Sequence, residues 1–461
     1  MWEEIKQKIE IAFNFSLNKN QWRDIKRLIY EIAKRENLDY DTIIEELKDN
    51  HHINKAGGRN KFFVIKQQLI NKRFPLTTKR EKIDTKKVFL SDIKPPLPNL
   101  YQAKEFNPTH IFVEKDASDS YLLKRFQEKF AEVKIEELSF ASEYIKKHKF
   151  SLEDLKKPIV FIVKERWDFI KPCPCTKNHL SCNYWILNLG FGCPFDCSYC
   201  FLQQYTNFPG IILPSNLNDF YDMFKDLLKK INSPIRIGTG EFCDSLALDE
   251  ITNYSSQLIN FLRDKPVLFE LKTKSTKIDN LLKNEPSPNI IVSWSINPQE
   301  IIDKEELMTS SLEDRLTSAK IVQEKGYSLS FHFDPIIYSE NWEKIYKETI
   351  ETLFKKLTPP FRWISLGTLR GSRELKNIVE QRFPHSKIFY GELFLGEDKK
   401  LRYPKFLRKE IYQKMISWIR RYDTRTPVYL CMEDEEIWQV MDKKLTSSKN
   451  IESYIINNYD K

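Results

Sequence analysis

Gly192-Cys193-Pro194-Phe195-Asp196-Cys197-Ser198-Tyr199-Cys200-Phe201 holds three cysteines at C-x3-C-x2-C spacing, and the reading of the whole chain turns on this loop. Three thiolates at that spacing suit an iron–sulfur cluster with one iron left open. A four-iron cluster with four cysteine ligands is closed and shuttles electrons, whereas three ligands free one iron to bind a substrate or cofactor. The alternative is a structural zinc completed by Cys173, Cys175, Cys182 or a histidine. Zinc knuckles pair C-x2-C with a second, distant pair, so they fit the spacing poorly.

Around the loop lie six apolar runs, each a candidate buried strand: 185–189, 235–238, 267–271, 290–293, 329–333 and 363–366. Helix-like segments at 217–231, 254–262, 312–325 and 342–357 separate them, so the run reads as successive βα units on a parallel sheet. Six such units predict an open, partial (β/α)6 barrel. In βα barrels the chemistry sits on loops leaving the carboxyl ends of the strands. The polar residues fall there: the cysteine loop after the first run, Gly238-Thr-Gly-Glu241 after the second, Lys272-Thr-Lys274 after the third, Ser295-Ile-Asn297 after the fourth and His332-Phe-Asp334 after the fifth.

A chain of 461 residues exceeds what one core sustains and predicts several domains. Residues 1–98 read as a helical basic module and linker, with Trp22, Ile25, Leu28, Ile29 and Ile32 at helical spacing and a Pro-rich end at 95–98. Residues 99–183 read as a small α/β subdomain, 184–385 as the partial barrel, and 386–461 as a C-terminal hairpin with helices. The formal charge of +9 is concentrated between Lys55 and Lys94, where twelve Lys and Arg face Glu81, Asp84 and Asp92. Such a patch favours a polyanion, with a solvated basic linker as the alternative. The charged opening Met1-Trp-Glu-Glu-Ile-Lys6 lacks the apolar core of a signal peptide, and no run approaches a membrane span. A cytoplasmic enzyme with no membrane partner is the expectation, and eight cysteines with three in one loop read as metal ligands rather than a disulfide framework. Cys173, Cys175 and Cys182 could hold a second metal with His179, but they match no metal spacing and read as packing or unassigned, and Cys431 reads as core.

The cysteine loop, with an aromatic before its last cysteine, resembles the signature of radical S-adenosyl-L-methionine (SAM) enzymes. Gly238-Thr-Gly-Glu241 resembles the Gly-Gly-Glu motif of their barrels, where glycines let the backbone approach the amino group of SAM. Within that superfamily the chain resembles spore photoproduct lyase and its homologues. Four stretches carry this: residues 192–203, Thr273-Lys-Ser-Thr-Lys-Ile-Asp279, Trp294-Ser-Ile-Asn297 with Leu312-Glu-Asp-Arg315, and Gly326-Tyr327 leading to Asp334-Pro-Ile-Ile-Tyr338 and Trp342. The resemblance spans about 109–442 and omits the first hundred residues.

It implies a [4Fe-4S] cluster on Cys193, Cys197 and Cys200, and SAM contacted by Gly238, Gly240, Glu241, Lys274, Ser295 and Asn297. It further implies a 5′-deoxyadenosyl radical that repairs a thymine lesion in DNA, with an electron donor such as flavodoxin or ferredoxin. Cys243, two residues beyond Glu241, falls on the loop from which the family's cysteine donates a hydrogen atom, with a buried packing cysteine as the alternative. Tyr199 stands before the last cysteine, whereas the family's tyrosine after it is Phe201 here, which has no O–H. Arg402 and Tyr403, in Lys399-Lys-Leu-Arg-Tyr403, resemble the family hairpin that holds a damaged duplex open and are the implied nucleic-acid contacts. The alternatives are a radical SAM enzyme acting on RNA, a peptide or a small molecule, and a non-catalytic zinc protein that binds nucleic acid.

Overall fold

The structure, a computed structural model, describes residues 1–58, 60–80, 88, 90, 92–94, 96–97, 105–166, 169–176, 179–230, 234–442 and 444–457. It divides into two compact units, Met1–Asn99 with Arg370–Leu407, and Leu100–Leu369 with Arg408–Lys461. The segment 386–461, read from sequence as one C-terminal piece, is thus shared between them. Much of the Pro-rich linker ending at 98 lies outside the described residues.

The first unit packs the helices Trp2–Phe13, Lys19–Glu36, Tyr40–Lys48 and Asn60–Arg73 around a core that includes Ile9, Ile25, Ile32, Ile43, Ile65 and Leu69. Local chemistry starts these helices. Asn18 and Gln21 form a reciprocal capping box, and the Asp39 carboxylate accepts the Thr42 N–H at 2.7 Å. At the centre Glu31 is buried and accepts from Arg27 Nε at 2.9 Å, Arg73 Nε at 2.7 Å and the ammonium of Lys376. Of the basic residues between 55 and 94, Arg73 is consumed here, Lys66 pairs with Asp24 at 2.5 Å and Lys72 with Glu46 at 2.8 Å. Arg59, Lys82, Lys86 and Lys87 lie outside the described residues. The charge excess that resembled an open polyanion patch is therefore partly internal ion pairing.

In the second unit the main sheet has, among the described residues, seven parallel strands: Trp185–Leu187, Ile235–Gly238, Val267–Thr273, Ile290–Ser295, Ser328–Ile336, Ile364–Thr368 and Val428–Leu430, in that spatial order. Ile170–Pro172 adds an antiparallel edge beside the first of them. The two ends do not pair, which leaves the open barrel expected, extended past six units by the run that precedes Cys431. Every position from Ile290 to Ser295 is buried, those on both faces alike, as a sheet covered by helices requires. Helix Leu312–Lys325 begins with the Ser311 hydroxyl accepting the Asp314 N–H and ends at Gly326 with φ 109°, a left-handed stop that glycine takes without strain. A second parallel sheet orders Lys134–Leu138, His110–Glu114, Ile159–Val163 and Ile211–Pro214. Its last strand comes from beyond the cysteine loop, so the loop is anchored to both sheets.

Candidate active site

The cysteine loop is held at both ends by backbone. Gly192 donates to the Phe242 carbonyl at 3.0 Å, and Phe191 stacks on Phe242 with centroids 5.3 Å apart. Gly192 has φ 94°, and a side-chain carbon there would lie 2.7 Å from the Gly210 carbonyl, so the first motif residue has to be glycine. At the other end Asp196–Cys197 pairs antiparallel with Glu306–Leu307, placing Cys197 opposite Glu306. The Gln203 amide then donates to Asp196 at 2.8 Å and to the Cys197 carbonyl at 3.0 Å.

Cys200 lies close enough to Cys193 and Cys197 for its charge to bear on both thiols, and Cys193 bears on Cys197 as well. Burial pushes the Cys193 thiol up to about 12, against the pull of Lys156. Burial likewise raises Cys197 and Cys200, with Lys274 acting downward on both. Such sulfurs become thiolates when a cation supplies the missing charge, and thiolates suit soft partners such as zinc or an iron–sulfur cluster. The residues fit a four-iron cluster. Among the described residues no three His, Cys, Asp or Glu side chains converge on a point where a single ion would sit. A cube takes each thiolate on a different iron and requires no such convergence.

The second strand ends at Gly238, and its turn needs both glycines. A carbon on Gly240, φ 88°, would lie 2.5 Å from the Lys272 carbonyl, and one on Gly238 would lie 2.7 Å from the Glu270 carbonyl. Gly240→Ala is expected to cost more than about 1 kcal/mol of stability, since it adds left-handed strain to a backbone clash. Urea denaturation measures this. Glu241 lies 3.5 Å from the Lys272 ammonium. Three residues on, Asp244 accepts from the Thr273 hydroxyl at 2.6 Å and from the Lys274 N–H at 2.7 Å. Asp244 thereby ties the loop after the second strand to the end of the third. Cys243 sits between them, its thiol raised by burial and by the nearby Cys193 and Asp244. The cluster loop, Glu241, Cys243 and Lys274 thus share one end of the sheet.

Glu306 organises the far side. Its carboxylate accepts from the Asn297 amide at 2.8 Å and from the Tyr199 hydroxyl, and it pairs with Arg315 at 2.7 Å, both charges fully buried. Asn297 also accepts from Tyr346 at 2.9 Å, and Arg315 donates to the Ser295 carbonyl at 2.9 Å. Tyr199, Ser295 and Asn297, named separately from sequence, are therefore one network, with the Lys274 ammonium 5.6 Å over the Tyr199 ring. Sequence reasoning missed Glu306. In Asp303-Lys-Glu-Glu306 it looks like one more solvated helix charge, and only its pairing with Cys197 reveals it. Deeper in the barrel Glu270 was also missed: it accepts from Tyr184 at 2.6 Å, Ser330 at 3.1 Å and Trp363 at 3.1 Å, with His332 Nε2 at 2.7 Å.

Other expectations change. The hairpin at 394–402 forms, but Arg402 and Tyr403 are 4% and 2% exposed, and Arg402 Nε is bound to Asp398 at 3.0 Å. Asp398, four residues earlier across the turn, offers that guanidinium a carboxylate, so both side chains are buried where the resemblance implied exposed contacts. Arg408, a basic residue of the following helix, is buried against Glu433. Cys173 and Cys175 hydrogen-bond through their thiols, and burial raises Cys182 beside Arg236. Phe201 packs edge-on against Tyr205 at 5.6 Å and Phe242 at 5.9 Å.

A family model described as spore photoproduct lyase matches residues 106–422. The chain belongs to the spore photoproduct lyase family. It is accordingly a radical SAM lyase by class, and the first 105 residues stand outside the family match. The chain is 26% identical over 263 residues to the spore photoproduct lyase of Clostridium acetobutylicum, covering 56% of this chain and 75% of that one. It is 24% identical over 323 residues to the enzyme of Bacillus subtilis, covering 67% and 91%. A solved spore photoproduct lyase carrying a tyrosine-to-phenylalanine change superposes with TM-score 0.62 at 24% identity, over 70% of this chain and 98% of that chain. A doubly substituted spore photoproduct lyase with bound AdoMet and dinucleoside spore photoproduct gives TM-score 0.61 at 23% identity, over 70% and 98%. These likenesses bear out the partial barrel. Among the described residues no helix is long and apolar enough to cross a membrane.

Proposed function

We propose that this chain repairs the spore photoproduct thymine lesion in DNA, using a [4Fe-4S] cluster on Cys193, Cys197 and Cys200 together with SAM. The observation that carries this reading is the placement of Cys243 beside Cys193, on the same sheet end as Lys274 and the Gly238–Glu241 turn. When bound, the cluster and SAM supply a 5′-deoxyadenosyl radical that abstracts a hydrogen atom from the lesion. The protein's own part is to bind, orient and return hydrogen. Gly238 and Gly240 keep side chains out of the way so that backbone carbonyls and Glu241 reach the SAM amino group. Lys274, its backbone clamped by Asp244, pairs with the SAM carboxylate. Ser295 and Asn297 line the adenosine side, held by Arg315 and Glu306.

Cys243 would give its S–H hydrogen to the carbon radical of the product, breaking the S–H bond and forming a C–H bond, and the resulting thiyl would take a hydrogen atom back from 5′-deoxyadenosine or an added thiol. Burial keeps that thiol protonated, which a hydrogen-atom donor requires. Tyr199, on the Cys197 side, gives its hydroxyl hydrogen to Glu306, whereas the tyrosine close enough to feel Cys243 is Tyr254. An electron donor of the flavodoxin or ferredoxin kind reduces the cluster, and the compartment that suits such chemistry is the cytoplasm. On the hairpin the exposed Lys399, not Arg402, offers charge to a phosphate.

Anaerobically reconstituted protein given SAM, dithionite and dinucleoside spore photoproduct should form 5′-deoxyadenosine and restored thymines in step. Cys243→Ala should keep 5′-deoxyadenosine formation while the yield of restored thymine per 5′-deoxyadenosine collapses. If the wild type cleaves SAM without restoring thymine, the substrate assignment fails. If Cys243→Ala repairs as well as wild type, its role as donor fails.

A further inference from the structure

Two lysines bear on the cluster thiols from different parts of the fold. Lys274, at the end of the third parallel strand, acts on Cys197 and Cys200, whereas Lys156 acts on Cys193 and Cys200. Lys156 belongs to the smaller sheet's side, in the connection between the turn Leu152–Asp154 and the strand Ile159–Val163. Its ammonium donates to the main-chain carbonyl of Cys193 at 3.0 Å. With Lys157, Cys193, Pro194 and Thr206 it lines a small cavity behind the cysteine loop.

The backbone at this lysine is unusual. Lys156 has φ 66°, the left-handed region that a residue with a side chain takes only at a cost in strain. Leu155, 2% exposed, anchors the turn from one side, and the Ile159 N–H bonds to the Lys157 carbonyl at 2.8 Å from the other. Glycine or asparagine would take that conformation more readily, and neither could reach the carbonyl of Cys193 with a positive charge. The strained position therefore holds a cation against the cysteine loop.

We propose that Lys156 is a positioning residue that raises the reduction potential of the iron–sulfur cluster. The inference rests on the reading that Cys193, Cys197 and Cys200 carry that cluster. Three thiolates on a four-iron core leave a net negative charge, and each added electron increases it. A cation held against the Cys193 carbonyl, its charge reaching the Cys193 and Cys200 thiols, stabilises the reduced state more than the oxidised one, and cluster potentials respond to local charge and hydrogen bonding. Lys156 is half-buried, so salt screens part of the effect and the shift is largest at low ionic strength. The consequence is an easier first step for whichever one-electron donor serves the enzyme.

The test is an EPR-monitored redox titration of the reconstituted full chain. Lys156→Met and Lys156→Gly should bind iron as the wild type does and show a midpoint displaced to lower potential. The glycine variant relieves the left-handed strain, so it separates charge from backbone effects. Lys156→Arg should stay near the wild-type midpoint. Lys157→Met should do so too, because Lys157 is half exposed and paired with Asp154. An unchanged midpoint in iron-replete Lys156→Met and Lys156→Gly overturns the proposal, as does loss of iron in both. A wild-type chain that takes up no iron sinks the cluster reading instead, which keeps the two failures apart.

Discussion

Alanine at any one of Cys193, Cys197 and Cys200 is expected to leave the reconstituted protein without its brown colour and without 5′-deoxyadenosine formation. The physical reason is that the loop has no spare ligand. On the proposed cluster three thiolates would hold three irons and leave the fourth for SAM, so removing a thiolate would open a second corner to solvent. The remaining thiols are ordinary buried sulfurs pushed toward the neutral form, Cys193 up to about 12, so they offer weaker ligation once the cluster charge is lost. Iron content should fall from about four per chain, and absorbance near roughly 400 nm should vanish with it. Circular dichroism should stay close to wild type, since backbone bonds at both ends hold the loop. Cys431→Ser, at the end of the strand Val428–Leu430, should keep its iron. Full iron in any of the three alanine variants would remove the basis of the functional reading.

The second large effect lies at Glu306 and Arg315. Both side chains are fully buried, so Arg315→Met leaves a carboxylate in the protein interior with its main counter-charge gone, a change of about 3–5 kcal/mol in unfolding free energy. The pH dependence follows from the same pair. Burial alone would raise Glu306, but Arg315 and Lys274, with hydrogen bonds from Asn297 and Tyr199, outweigh it and hold the group down at about 2. A carboxyl lowered on folding adds stability above its unfolded pKa, and that stability is lost as pH falls toward the folded value. Wild-type stability should therefore decline from just above pH 4 down to about 2, and the Arg315→Met variant should show a shallower decline. Urea titrations across that range measure both. A wild-type slope retained in the variant would show that Glu306 is not the group responsible.

Much of the partial barrel was legible because its strands are buried on both faces and therefore appear as unbroken apolar runs. All six runs became strands, and the motif loops fell at their carboxyl ends. The seventh, Val428–Leu430, was only three residues long and separated from the sixth by the whole 370–427 stretch, so no local period marked it as a neighbour of Ile364–Thr368. Cys193, Cys197, Cys200, Gly238 and Gly240 were visible because thiolate spacing and glycine conformation are local properties. Arg402 and Tyr403 misled for the opposite reason. A basic residue beside an aromatic looks the same whether exposed or buried, and the Asp398 that claims Arg402 could be assigned only once the turn geometry was known.

The basic stretch shows the same boundary. Net charge between residues 55 and 94 is a property of the chain, but Arg73 is consumed by Glu31, 42 residues away, and Lys376, some 300 residues further along, enters the same cluster. What the amino-acid order determined by itself was the ligand loop, the βα repeat and the glycine turns, because each depends on spacing over a few residues. Which charges are free, which tyrosine is tied to Glu306 and which lysine reaches Cys193 was decided by the tertiary structure. Those pairings join residues far apart in the chain, and their electrostatic strength depends on burial, which only the folded molecule defines.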